Sequence, residues 1–359
     1  EFIMHGDLSR PDGFTSLGIN ILPSTVFLNS REWRIQPSHF RIDNDGIEVS
    51  SIEFLSDGQS IDIHGNVSKT QKDTLSLNLN RFDISVLNSL LNIDGLGIKG
   101  AATGSVQLTS PLKAKGLLAD MICDSTYLAG RPLGVLSLGS RWDEDFERFE
   151  ITARNEIDGR SNLDITGKLT PKTRSLEATA SIDRLHVGYA KPFMEEIFSD
   201  MSGYISGIIN IDGPLNDLDI SSESTVLEDA MLQVAYTNVP YFADGAFHID
   251  RSGVYFDDIR IKDRYTGTGS VTGSINWNAF RNINFDTRIR VNEIEGINLS
   301  ERQNETFYGN IFGTGNISIT GPVSALSMNI DAVTAKPGEL HIPITATATS
   351  GNSNLLKFT

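Results

Sequence analysis

The chain has 359 residues, a formal net charge of −16 and a pI near 4.8, and no basic stripe with interleaved aromatics, which excludes a nucleic-acid interface. Cys123 is the only cysteine, so neither an intrachain disulfide nor a thiolate metal cage can form. No long apolar run and no basic-then-apolar leader marks a membrane helix or a signal peptide, while 39% hydrophobic and 21% charged residues suffice to fold.

The opening block predicts short strands at Ile19–Leu22, Val26–Leu28, Trp33–Ile35, Phe40–Ile42 and Ile47–Val49, punctuated by Pro23, Asn29-Ser30, Pro37 and Asn44–Gly46. Asp43-Asn44-Asp45-Gly46 begins like a calcium loop, but Phe54 stands where the bidentate Glu belongs, so a hairpin turn is predicted instead. Leu75, Leu77 and Leu79 alternate with Ser76, Asn78 and Asn80, which gives one apolar and one wet face. Asp83–Leu91 switches to helical spacing with Asp83 as N-cap. Leu163-Ile165 and Leu176–Ile182 return to strand periodicity. A longer helix is predicted over Val187–Asp200, with Pro192 in its first turn and Phe193, Ile197 and Met201 recurring every four residues. Strands resume at Ile205–Ile211, Leu218–Ile220, Phe256–Ile261 and Ile283–Val291, and Gly296–Thr306 is polar enough to predict a loop or weak helix.

Two landmarks recur. Gly104, Gly207 and Gly315 are 103 and 108 residues apart, and each is followed by a short alternating strand and a Ser-Pro or Gly-Pro pair at Pro111, Pro214 and Pro322. Gly65, Gly167 and Gly273, each closing a polar-apolar run, are 102 and 106 residues apart. Two landmarks drifting together imply structural repeats with small loop insertions. We read residues 1–359 as one continuous repeat region from a longer protein, with approximate repeats 1–65 (partial), 66–167, 168–273 and 274–359. The predicted fold is mainly β: an elongated, repeat-built, curled antiparallel sheet with a few short helices. The Gly-x-x-x-Gly pairs at Gly100/Gly104 and Gly203/Gly207 sit in period-two surroundings and predict strand bends rather than membrane-helix packing.

Catalytic and metal signatures are missing from the sequence. His5, His39, His64, His186, His248 and His341 are scattered without metal-ligand spacing, no glycine turn leads into a Lys-Ser/Thr phosphate cradle, and G-x-S-x-G does not occur. Glu195-Glu196 and Asp257-Asp258 sit where solvated faces belong. The expectation is a non-enzyme without cofactor or metal.

INILPSTVFLNSREWRIQPSHFRID, the Leu-Gly-Ile-Lys-Gly and Met-Ser-Gly-Tyr-Ile-Ser-Gly openings, and GPLNDLDISSESTVLEDAMLQVAYTNVPY from Gly213 to Tyr241 resemble the C-terminal region of the TamB (translocation and assembly module) family, in the wider AsmA-like group. The resemblance covers essentially the whole chain and rests on degenerate strand-turn patterns. It implies a β-taco-like sheet curled into a groove with an apolar interior, in a periplasmic bridge of a Gram-negative bacterium. Such a parent is anchored in the inner membrane, meets an outer-membrane barrel of the BamA/TamA type, and serves phospholipid movement and envelope assembly. The family's barrel-docking terminal segment is not recognisable before Thr359, so barrel contact falls to parts outside this stretch. On this reading Leu77, Leu79, Leu163, Ile165, Ile205, Ile209, Ile211, Ile220, Phe285, Ile289, Ile317 and Ile319 line the groove and solvate phospholipid acyl chains. The same residues could fill a dry core between two sheet faces. A ligand-free structural or adhesin stalk is the alternative function; a polysaccharide-acting β-helix enzyme is remote, since its coils would repeat every 20 to 30 residues or so.

Overall fold

The computed structural model describes residues 2–9, 15–28, 31–68, 73–88, 97–109, 116–195, 197–278 and 281–343. It is mainly β, with 23 antiparallel strands in a sheet that is not closed. Two compact units are present: Glu1–Ser181 with Ile211–Asn216, and Ile182–Asn210 with Asp217–Thr359. Among the described residues no helix is long and apolar enough to cross a membrane, which says nothing of a β-barrel.

The first unit contains β1 (Met4–Ser9), β2 (Ser16–Ile21), β3 (Ser24–Leu28), β4 (Arg31–Ile35), β5 (Ser38–Ile42), β6 (Gly46–Ser56), β7 (Gln59–Ser68), β8 (Thr74–Asp83), β9 (Lys99–Thr109), β10 (Leu117–Leu128), β11 (Arg131–Asp143), β12 (Arg148–Glu156) and β13 (Leu163–Thr170). From β6 to β13 each strand pairs with the next. The predicted opening strands are present, and Asp43 turns β5 into β6 by accepting the Asp45 and Gly46 amides on Oδ1, both at 3.0 Å. Strand β6 serves two neighbours: its first half pairs with β5 through Ile42↔Ile47, its second with β4 through Ile35↔Phe54.

β14 (Ser175–His186) and β15 (Phe198–Pro214) have residues in both units. The second unit continues with β16 (Asp219–Val234), β17 (Val239–Asp250), β18 (Gly253–Lys262), β19 (Thr268–Asn278), β20 (Arg281–Leu299), β21 (Tyr308–Pro322), β22 (Ser327–Thr334) and β23 (Glu339–His341). Strands β16 to β22 pair in succession, and β23 pairs with the start of β21 through Tyr308↔His341. Gly213-Pro214 and Gly321-Pro322 end β15 and β21; Pro111 lies outside the described residues.

From β6 to β10, and from β16 to β20, the bends follow one rule. Strands β6, β8 and β10 in the first unit, and β16, β18 and β20 in the second, each carry an extra residue relative to their partners, for example between Leu79 and Phe82 opposite Gly104 and Ala102. An unpaired extra residue bends its strand and sharpens the twist. The alternate strands β7, β9, β17 and β19 carry positive-φ glycines, Gly65, Gly104, Gly245 and Gly273. At Gly104 the requirement is steric as well, because a Cβ would fall 2.1 Å from the Asp120 carbonyl oxygen.

The bulge is built alike at three places. Arg81, Arg184 and Glu293 have φ of 51°, 50° and 52°, and their amides donate to Thr103 Oγ1 (3.0 Å), Ser206 Oγ (3.0 Å) and Thr314 Oγ1 (2.8 Å). These hydroxyls belong to the residues immediately before Gly104, Gly207 and Gly315, so the repeated glycine carries a partner for the orphan amide beside it.

The first predicted helix begins where expected and the second is shorter than its spacing predicts. Asp83 caps a 3-10 turn, Ile84–Val86, by accepting the Ser85 amide at 2.9 Å, helical structure continues through Leu87 and Asn88, and the remainder to Leu91 lies outside the described residues. The helix predicted over Val187–Asp200 is a 3-10 turn at Val187–Ala190 and a single turn α1 (Lys191–Met194), with Pro192 where it belongs. Met201 is already in β15, so its four-residue spacing from Ile197 is coincidental. Likewise Gly296–Leu299 finish β20, and only the following residues form the loop.

Candidate binding face

In the first unit the registers align side chains into rows that run across the strands. One row is Ile35, Phe54, Ile61, Leu79, Gly104, Met121, Leu138, Ala153 and Ile165, and the next is Ile52, Ile63, Leu77, Val106, Ala119, Ser140, Ile151 and Gly167. Alternation of side chains puts these rows on one face. The other face carries Asp62, His64, Asn78, Asp120, Arg141, Glu150 and Arg154, several in exposed ion pairs such as Arg141–Glu150 at 2.9 Å.

Apart from Ile35, which is buried, the apolar rows are neither buried nor fully wet. Leu77, Leu79, Leu163 and Ile165 are half-buried, as are Val106, Met121, Leu138 and Ile151. Burial is graded along the strands: Ala102 is 3% exposed and Leu108, six residues on, is 37% exposed. Ile84, in the 3-10 turn after β8, packs onto Ala102 and Cys123, which seals that end. Beside the seal, Trp33 and Phe82 lie 6.2 Å apart and Arg31 pairs with Asp83 at 2.9 Å, around a cavity of about 140 Å³. Burial raises the Asp83 carboxyl, but the Ser85 hydroxyl and amide and the Arg31 guanidinium outweigh it and hold the pKa below its ordinary value.

In the second unit Phe285, Ile289, Ile317 and Ile319 share a face through Phe285↔Gly321, Thr287↔Ile319 and Ile289↔Ile317, and Ile220 lies next to Ser222, which starts the row Ser222, Ile249, Val254, Ile275 and Phe285. Phe285 is buried at 9% exposure and the other four are half-buried. Ile205, Ile209 and Ile211 alternate along β15 and are half-buried, whereas Ile208, Asn210 and Asp212 between and beyond them are exposed. A dense cluster of Ala230, Ala243, Ile259, Ile261, Val291 and Ile294 occupies the far end of this unit's face.

Residues that periodicity did not single out hold these far ends together. Glu295 is fully buried; its Oε1 accepts from Arg264 at 2.7 Å and from Asn310, its amide donates to Asp263 Oδ2 at 2.8 Å, and its carbonyl accepts the Tyr241 hydroxyl at 2.8 Å. Burial, then the nearby Glu295 and Asp263 charges, push the Tyr241 phenol far up, so it stays a donor. The Asn298 amide donates to Thr237 O at 2.9 Å, tying β20 to the β16–β17 turn beyond the β18–β19 hairpin. In the first unit fully buried Asn155 accepts the Asn162 and Leu163 amides (2.9 and 2.7 Å) and donates to Leu133 O. The Thr-Gly and Ser-Gly pairs were the readable signal for the bulges; nothing in the sequence marked Asn155 or Glu295.

Among the described residues no group of His, Cys, Asp and Glu could hold a metal ion. Aliphatic and aromatic side chains in registered rows can solvate apolar chains and offer no nucleophile or proton donor. Comparison with family models, curated proteins and solved structures finds no match.

Proposed function

We propose that this chain is a non-enzymatic, groove-forming part of a periplasmic bridge in a Gram-negative bacterium, shielding acyl chains as phospholipid moves between inner and outer membrane during envelope assembly. The parent would be anchored in the inner membrane and meet a BamA/TamA-type barrel through parts outside this chain. What carries the reading is the half-exposed apolar face: its rows cross strand after strand with little polar interruption, and away from the Ile84 seal their side chains stay largely half-buried. A face meant for water would be polar, and a core would be buried. Burial of each CH₂ favours binding by about 0.8 kcal/mol, while equivalent neighbouring rows let a chain slide with little net change. The dense second-unit cluster favours a second reading, a ligand-free stalk, for that end alone.

The test is native mass spectrometry and lipid extraction on protein purified without detergent from a Gram-negative host. Co-purifying phospholipid, lost in Leu79→Asp and Ile165→Asp variants that keep their far-UV circular dichroism, is the expected result. Folded, lipid-free wild-type protein would overturn the lipid reading in favour of the stalk.

A further inference from the structure

The first unit's face has a direction, and we infer that it sets how an acyl chain lies on it: tail toward the sealed end, headgroup at the open end, with the seal as a chain-length stop. This rests on the lipid-binding reading above. From Ala102 to Leu108 on β9, from Cys123 to Leu117 on β10, from Leu136 to Trp142 on β11 and from Asn155 to Phe149 on β12, the face runs six residues. At about 3.4 Å per residue each column is roughly 20 Å long. One leaflet's share of a bilayer core about 30 Å thick is about 15 Å, so the columns accommodate ordinary membrane acyl chains and little more.

Three observations favour this orientation over a chain lying across the strands. At the sealed end the polar groups are already engaged: Ile84 lies on Ala102 and Cys123, the neighbouring Arg31 guanidinium pairs with Asp83, and Asn155 uses both side-chain polar atoms. Ala102, Cys123 and Asn155 at the sealed end are buried, whereas at the opposite end Leu117, Trp142 and Phe149 are half-buried and Leu108 is exposed, so water can reach a charged group there. Between the ends, the β9 to β12 columns carry one hydroxyl, that of Ser140, and otherwise aliphatic residues, glycine and Met121. A chain lying across the strands would meet no stop, since the same rows continue from β4 to β13.

The experiment is competitive retention of diacyl phosphatidylcholines with chains of about 10 to about 22 carbons on the full chain, read by native mass spectrometry. Retention should rise by at most about fourfold per added CH₂ while the chain still fits, then flatten or fall for chains longer than the column. Ala153→Trp, on the row between Leu138 and Ile165, should move that break to shorter chains, because each two residues of strand account for roughly 7 Å. Retention that climbs through the longest chain, or ignores length, overturns the stop while leaving lipid binding intact. Retention of no lipid at any length overturns the lipid-binding reading itself. Should Ala153→Trp fail to fold, the wild-type length profile still decides between stop and no stop.

Discussion

Replacing Gly104 by alanine tests the recurring glycine at its most constrained point. Its φ of +152° is one that L residues rarely adopt, and an added Cβ would sit 2.1 Å from the Asp120 carbonyl oxygen and 2.7 Å from Met121 Cα, both backbone atoms of the neighbouring strand. The unfavourable backbone conformation costs roughly 1–2 kcal/mol. Relieving the clash forces β9 and β10 apart at the Gly104↔Met121 pair and weakens about two ladder bonds, each worth about 0.5–1.5 kcal/mol. The sum is about 2–5 kcal/mol, a large share of a domain's usual 5–15 kcal/mol. Gly130→Ala is the control: φ there is +73°, yet nothing lies within 4 Å of an added Cβ, so only the conformational part of roughly 1–2 kcal/mol applies. Urea unfolding followed through Trp33 and Trp142, both in the same unit, measures each loss by linear extrapolation. If Gly104→Ala loses no more than Gly130→Ala, close strand approach is not why glycine stands there.

Thr103→Val and Thr314→Val should each cost about 0.5–1.5 kcal/mol and speed hydrogen exchange at the Arg81 and Glu293 amides, respectively; unchanged protection would refute the hydroxyl's role at the bulge. Asp83 has a folded pKa below its unfolded value of about 3.9, so it contributes stability above that value which is lost as pH falls through the folded pKa. Asp83→Asn should therefore be less stable than wild type at neutral pH, with the gap closing in acid; a pH-independent gap in urea midpoints would contradict this. Burial, and secondarily Asp124, raise the Cys123 thiol, so the native protein should resist a thiol reagent at pH 8 and react once urea unfolds it; rapid native labelling would place Cys123 outside the seal.

The strands and their repeat were legible because period two and punctuating glycines are local signals, as at Leu75, Leu77 and Leu79. The second helix was overextended for the same reason: Phe193, Ile197 and Met201 satisfy a helical spacing, but strand pairing claims the chain from Phe198. Apolar spacing also carried the face assignment of Leu77 with Leu79 and of Ile317 with Ile319, because no bulge falls between them. Across Glu293 that parity breaks, and Val291 and Ile294 both enter the core cluster although they are three residues apart. Buried Glu295 reads in sequence as a surface residue because Tyr241, Asp263 and Arg264, which bury and bond it, come from other hairpins, and Asn155 because nothing in its spacing shows that it bonds to Leu133 and Leu163 on the strands beside it.

The bulges and glycines within a unit also have a kinetic consequence. Each bulged strand turns at one residue, while ladders on both sides hold it to neighbours that turn at nearly the same level. One strand cannot open its angle alone without tearing those ladders, so widening the space above the face requires neighbouring creases to flex in concert. Breathing of this kind is collective and slower than the fraying of a single hairpin. An occupant entering at any one strand would loosen the adjoining strands with it, and thereby ease the entry of the next.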